Sequence, residues 1–144
     1  MKKFAVLLAL ACACSAWAQT PSPIGLWKTI DDETGKPKAL VRISEVNGEL
    51  SGRIERLFRE PDQDQNPTCD QCEDARKNQP LVGIVIVNGM KRNGDEYTGG
   101  KILDPASGKI YRSKMQLADD GRKLEVRGYV GIPALGRTQT WIRP

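Results

Sequence analysis

Gly25-Leu26-Trp27 opens the first extended segment of the chain, and Trp141-Ile142-Arg143 closes the last. Between these two stretches run short strand-like segments divided by turn residues, with almost no helical pattern. A closed antiparallel barrel needs chain ends of this kind, because its first and last strands must meet. Trp27 beneath Arg143 then plugs one end through a cation–π contact, worth roughly 0.5–2 kcal/mol. Small barrels of this type hold side chains or one small ligand.

Working outward, turn chemistry divides the rest. Asn47-Gly48 between two strand-like runs is the strongest hairpin signal. Asn88-Gly89 and Asn93-Gly94 bracket another reversal, and Asp104 to Gly108, Asp119-Asp120-Gly121 and Gly131 to Gly136 mark three more. The segments between read as eight strands: Ile24–Ile30, Ala39–Val46, Glu49–Leu57, Leu81–Val87, Glu96–Leu103, Lys109–Leu117, Lys123–Val130 and Arg137–Ile142. Short connections favour strands paired in sequence order, an all-β, eight-stranded antiparallel up-and-down barrel, over a two-sheet sandwich. Leu81–Val87 is apolar on both faces. Its outer side needs a cover, either the long loop before it or a second subunit in a homodimer.

Residues 1–18 read as a signal peptide. Lys2 and Lys3 precede an uncharged, mostly apolar run, and Ala16-Trp17-Ala18 is a cleavage site, so the mature domain is expected to span 19–144 from Gln19. The run is too short and wrongly flanked for a membrane span. The rival is a lipoprotein signal acylated at Cys12 or Cys14, but Leu10 stands one position away from its usual place. Loss of Lys2 and Lys3 lowers the formal charge from +4 to +2. That is no nucleic-acid balance, and no later stretch is a transmembrane segment. The expected location is periplasmic or secreted. The sequence has no His, which removes the usual general base and the commonest transition-metal ligand.

One connection, Phe58 to Pro80, is too long for a simple turn. It holds Cys69 and Cys72, the two cysteines that survive leader removal. Their spacing matches redox motifs, but Asp70, Glu73 and Asp74 nearby disfavour a thiolate. A structural disulfide in an oxidising compartment is the better reading. Asp62, Asp64, Asn66, Asp70 and Glu73 also fall at the offsets of a calcium loop. Pro67 stands where such a loop needs Gly, so no metal site is assigned, and no cofactor.

Gly99-Gly100 is read as a bend or bulge that lets the barrel curve. Tyr111, Met115 and Tyr129 are the candidate ligand-binding residues of the wall, with Arg127 as polar anchor. Whether Arg112, Lys114, Glu125 and Arg127 face outward, as a solvated surface, or inward, toward an anionic head group, is open at this level.

Taken in order, Pro23-Ile24-Gly25-Leu26-Trp27, the Asn47–Gly52 hairpin, Gly99 to Pro105 with Gly108-Lys109-Ile110-Tyr111, Val126 to Tyr129 and the Thr138–Arg143 ending resemble a family of uncharacterised exported bacterial proteins, a domain-of-unknown-function family with a lipocalin-like (calycin-type) barrel. Gly25-Leu26-Trp27 is similar to the first lipocalin signature, and Arg143 to the end-strand Arg that packs over its Trp. The resemblance implies a fold and an envelope location. It implies no established activity and no catalytic residues.

The leading expectation is a binding protein for a small apolar or amphipathic ligand. The alternative is an envelope structural or interaction module whose barrel is filled by its own side chains. An enzyme using Tyr, Lys or carboxylates is a third class, for which no nucleophile motif speaks.

Overall fold

The computed structural model describes residues 12–15 and 20–144. The expected leader and its cleavage point before Gln19 lie outside the described residues, apart from 12–15, where Cys12 and Cys14 are exposed. Eight strands follow one another: β1 (Gly25–Ile30), β2 (Pro37–Val46), β3 (Glu49–Leu57), β4 (Val85–Asn93), β5 (Glu96–Leu103), β6 (Ile110–Ala118), β7 (Lys123–Tyr129) and β8 (Arg137–Ile142). Each pairs antiparallel with the next, and β1 meets β8, so the sheet closes into an up-and-down barrel. Closure leaves no free edge.

Alternation explains the pairing. Val41 and Ile43 on β2, Leu50, Gly52 and Ile54 on β3, and Leu124 and Val126 on β7 are buried, while the residues that alternate with them face out. Asn47-Gly48 is the two-residue turn of a tight hairpin, with Val46 opposite Glu49.

One strand departs from the sequence expectation. Leu81–Val87 is not a strand with a turn at Asn88-Gly89. Residues 81–84 form a turn, and β4 starts at Val85 and runs through Asn88-Gly89 to reverse after Asn93. Gly89, at φ 70°, is a bulge: three steps from Val87 to Met90 span two from Gly52 to Leu50. Gly99, at φ 76°, does the same on β5 between Tyr97 and Gly100. These facing glycines bend the wall without ending either strand. Ile84 and Ile86 are each 8% exposed and Val87 is fully buried. These three apolar residues are therefore buried within the chain, and their burial requires no second subunit.

The cover is the chain's own Phe58–Pro80 connection. Leu81 N–H donates to the Pro67 carbonyl (2.9 Å), and Thr68 bridges Pro80. Arg76 donates to the Val85 carbonyl (2.8 Å) while gripping Asp74. Cys69 and Cys72 form a disulfide, with Cα atoms 5.4 Å apart, and both are buried in the main core cluster. The turn they close packs on the β5–β6 connection so tightly that a Cβ on Gly108 would lie 1.8 Å from the Gln71 carbonyl oxygen.

Candidate ligand cavity

The two ends of the barrel differ in what their side chains fill. At one end stand Trp27, Ile43, Leu50, Met90, Met115 and Leu124, none more than 4% exposed. Trp27 Nε1–H donates to the Pro23 carbonyl (2.7 Å). The Arg143 guanidinium lies 4.1 Å from the Trp27 ring centroid and also donates to the carbonyls of Ser22 (2.7 Å) and Gly121 (3.0 Å). Both extremities of the barrel and the β6–β7 turn are thus tied across this end. Large side chains leave no room there.

Toward the other end the inward residues become small: Thr29, Ala39 and Gly128. They leave an open cavity of about 1490 Å³. Ile54, Ile86, Ile102, Val126 and Trp141 give it apolar walls; Tyr111 and Gln139 add polar groups. The Trp141 indole N–H reaches the Gln139 side-chain oxygen (3.4 Å). Apolar walls in the depth, with polar and charged side chains gathered at the mouth, suit a small, partly apolar molecule. The first half of the long connection, including Gln63 to Gln65, borders one side of the mouth.

Charges at the mouth are mostly spent on structure. Lys36 faces Glu60 (3.8 Å), and Arg137 pairs with Asp32. Asp31 accepts the backbone N–H groups of Thr34 and Glu33, which hold its carboxyl below the ordinary range. In the long connection, Arg76 beside Asp74 holds that carboxyl down at about 2.

The four residues singled out as ligand contacts are not brought together. Tyr111 lines the cavity, and Tyr129, last residue of β7, borders its mouth. Met115 lies in the packed half, opposite Tyr97 and Val126, and is 1% exposed. Arg127 pairs with Lys114 and Thr138 on the outer face. Because Leu124, Val126 and Gly128 point inward, period-two geometry turns Glu125 and Arg127 out. Each nitrogen of the Arg127 guanidinium is engaged there, donating to Pro133 O (2.6 Å), Thr138 Oγ1 (2.7 Å) and Gly136 O (3.1 Å). Lys114 likewise faces Glu96 (3.0 Å) on the outside. Gln139 was missed as a wall residue. Its signal was present: it stands two residues from Trp141 on one strand and so shares its face.

The calcium-like offsets in the long connection do not converge. Asp64 accepts the Asn66 N–H (2.9 Å), Asp62 and Glu73 are exposed, and among the described residues no three His, Cys, Asp or Glu side chains form a group that could hold a metal.

A closed eight-stranded antiparallel barrel, plugged at one end by a Trp–Arg pair and hollow at the other, is a lipocalin-like fold. A family model described as "Uncharacterized protein conserved in bacteria (DUF2147)" matches residues 25–143, and the chain belongs to that family. Among solved structures the chain is similar to protein HP1028 from the human pathogen Helicobacter pylori, which is described as belonging to the lipocalin family. The TM-score is 0.72 at 21% sequence identity, over 87% of this chain and 84% of that one. The likeness shows the shared fold. No curated protein matches the chain.

Proposed function

We propose that the protein binds a small, partly apolar molecule in its barrel and does so in the periplasm or outside the cell. The cavity carries the reading: its apolar walls lie above a plugged end, and its mouth is open. The leader pattern of residues 1–18 and the buried Cys69–Cys72 disulfide support the location. An interaction module with a filled barrel is the competing reading. The packed Trp27 end favours it, and the hollow above weighs against it.

The test is native mass spectrometry of protein purified from its own cell envelope, with Gly128→Leu as the partner variant. A Cβ on Gly128 meets Ile102 and Tyr111 at an ordinary 3.5 Å, and its φ is not in the left-handed region. A leucine there is expected to crowd the cavity wall between Ile102 and Tyr111 while the fold survives. A small molecule held by the wild type and lost from Gly128→Leu supports binding. A wild type that carries nothing, and binds no apolar fluorescent probe, sinks it.

A further inference from the structure

The connections at the mouth are mostly polar, with one exception. The β7–β8 connection, Val130-Gly131-Ile132-Pro133-Ala134-Leu135-Gly136, has no polar side chain. Val130 is 68% exposed, Ile132 57% and Leu135 75%. Single exposed aliphatics are ordinary, but three on one short tip form a patch of the kind that marks an interaction site. The tip is preformed. Leu135 N–H donates to Ile132 O and Gly136 N–H to Pro133 O, both at 3.1 Å, and Arg127 clamps the base through Pro133 O and Gly136 O. Held this way, the three side chains stand at the rim, with Val130 and Leu135 bordering the cavity.

Three cations flank the tip on its β5–β6 side, while on its other side the β1–β2 turn carries Asp31, Asp32 and Glu33, with Asp32 paired to Arg137. Lys101 pairs across the sheet with Arg112, and Arg112 with Tyr129, the residue before Val130; Lys109 sits at the adjoining mouth turn. All three cations are exposed, and none forms an ion pair among the described residues. The aliphatic tip suits the acyl boundary of an anionic bilayer, and half-buried Tyr129 with the unpaired cations beside it suits the headgroup region above.

We propose that this tip docks the barrel on an anionic lipid surface, tilted onto its β5–β6 side so that the acidic β1–β2 turn stays in water. Val130, Ile132 and Leu135 enter the acyl boundary, and Lys101, Lys109 and Arg112 meet the headgroup phosphates. A second copy of the chain is the poorer occupant, because a two-fold contact through the tip and its β5–β6 side would bring Lys101, Lys109 and Arg112 against their own copies. Docking turns the cavity mouth toward the bilayer. It does not depend on cavity binding, since an empty barrel has the same tip.

The experiment is vesicle flotation with protein expressed from the full chain and purified after processing. Vesicles of phosphatidylcholine alone are set against phosphatidylcholine mixed with phosphatidylglycerol. The wild type is expected to float with the anionic vesicles, less so as salt rises, and little with the neutral ones. Leu135→Asp and Ile132→Asp are each expected to cut binding roughly tenfold or more. Arg112→Glu is expected to abolish the preference for anionic vesicles. These sites are exposed, and thermal melts confirm the fold. Gly128→Leu is expected to float like the wild type, which separates docking from ligand binding. Docking is overturned if the wild type floats with neither vesicle, if Leu135→Asp floats undiminished, or if Gly128→Leu loses binding. It is equally overturned if sedimentation shows a dimer that Leu135→Asp dissociates, which makes the tip a self-interface.

Discussion

Replacing Trp27 with alanine tests whether the plug holds the barrel closed. The indole is fully buried and sits where β1 approaches β8. Truncating a buried aromatic costs about 3–5 kcal/mol. Its N–H also satisfies the Pro23 carbonyl, and the lost hydrogen bond adds about 1 kcal/mol. The cation–π contact with Arg143 contributes about 0.5–2 kcal/mol, part of which is already counted in the packing. The expected loss is thus about 4–6 kcal/mol, a large share of the 5–15 kcal/mol typical of a domain. In a barrel of this length it corresponds to a fall in Tm of roughly 15–25 °C. Arg143→Ala keeps the indole but loses the stacked cation and the bonds to Ser22 and Gly121. Its expected cost is smaller, about 1–3 kcal/mol. Because the two side chains touch, the double variant is expected to fall short of additivity by about 1 kcal/mol. Thermal melts by circular dichroism on the four proteins decide it. A Trp27→Ala protein that melts within about 3 °C of the wild type refutes the plug, and with it the account of why the chain ends carry Trp and Arg.

Three further outcomes are expected. Cys69→Ala combined with Cys72→Ala should lower stability by about 2 kcal/mol, because the disulfide closes a short loop; unchanged melting would show that the buried turn needs no crosslink. The Asp74 carboxyl, held at about 2 against an ordinary 3.8 by Arg76, stabilises the fold fully above the ordinary value and loses that effect as pH falls through about 2. The difference in melting between wild type and Asp74→Asn should therefore be present at neutral pH and vanish in strong acid, and a difference that persists there contradicts the clasp. Intact mass of the exported protein should match a chain beginning at Gln19 with two hydrogens lost to the disulfide, whereas a lipid-modified Cys12 or Cys14 would overturn the leader reading.

Much of the fold was legible because its determinants are local. Alternating burial on β2, β3 and β7 repeats every second residue, and Asn47-Gly48 programs a two-residue reversal whatever surrounds it. Trp27 and Arg143 announced closure because the ends of a barrel must meet, and the guanidinium lies 4.1 Å from the indole ring centroid. The β4 boundary was not legible, because a glycine at positive φ serves a turn and a bulge equally well. Asn88-Gly89 offers the same signal as Asn93-Gly94, and only pairing with Gly52 and Leu50 on one side and Gly100 on the other makes it a bulge.

The site was less legible still. The number of strands, the turns other than the one at Asn88-Gly89, the plug residues and the cysteine pair follow from the sequence, since each rests on residues close in the chain or on a rule about chain ends. Tertiary structure alone decided which face of β7 is inside. Alternation separates Val126 from Arg127 without saying which one meets the core, and the pairing of β7 with β6 and β8 sends Arg127 out. It also decided where the hollow lies. A cavity is space that small side chains leave unfilled, and Gly128 of β7 joins the neighbouring Thr29 and Ala39 of the β1–β2 pair only when the eighth strand closes on the first.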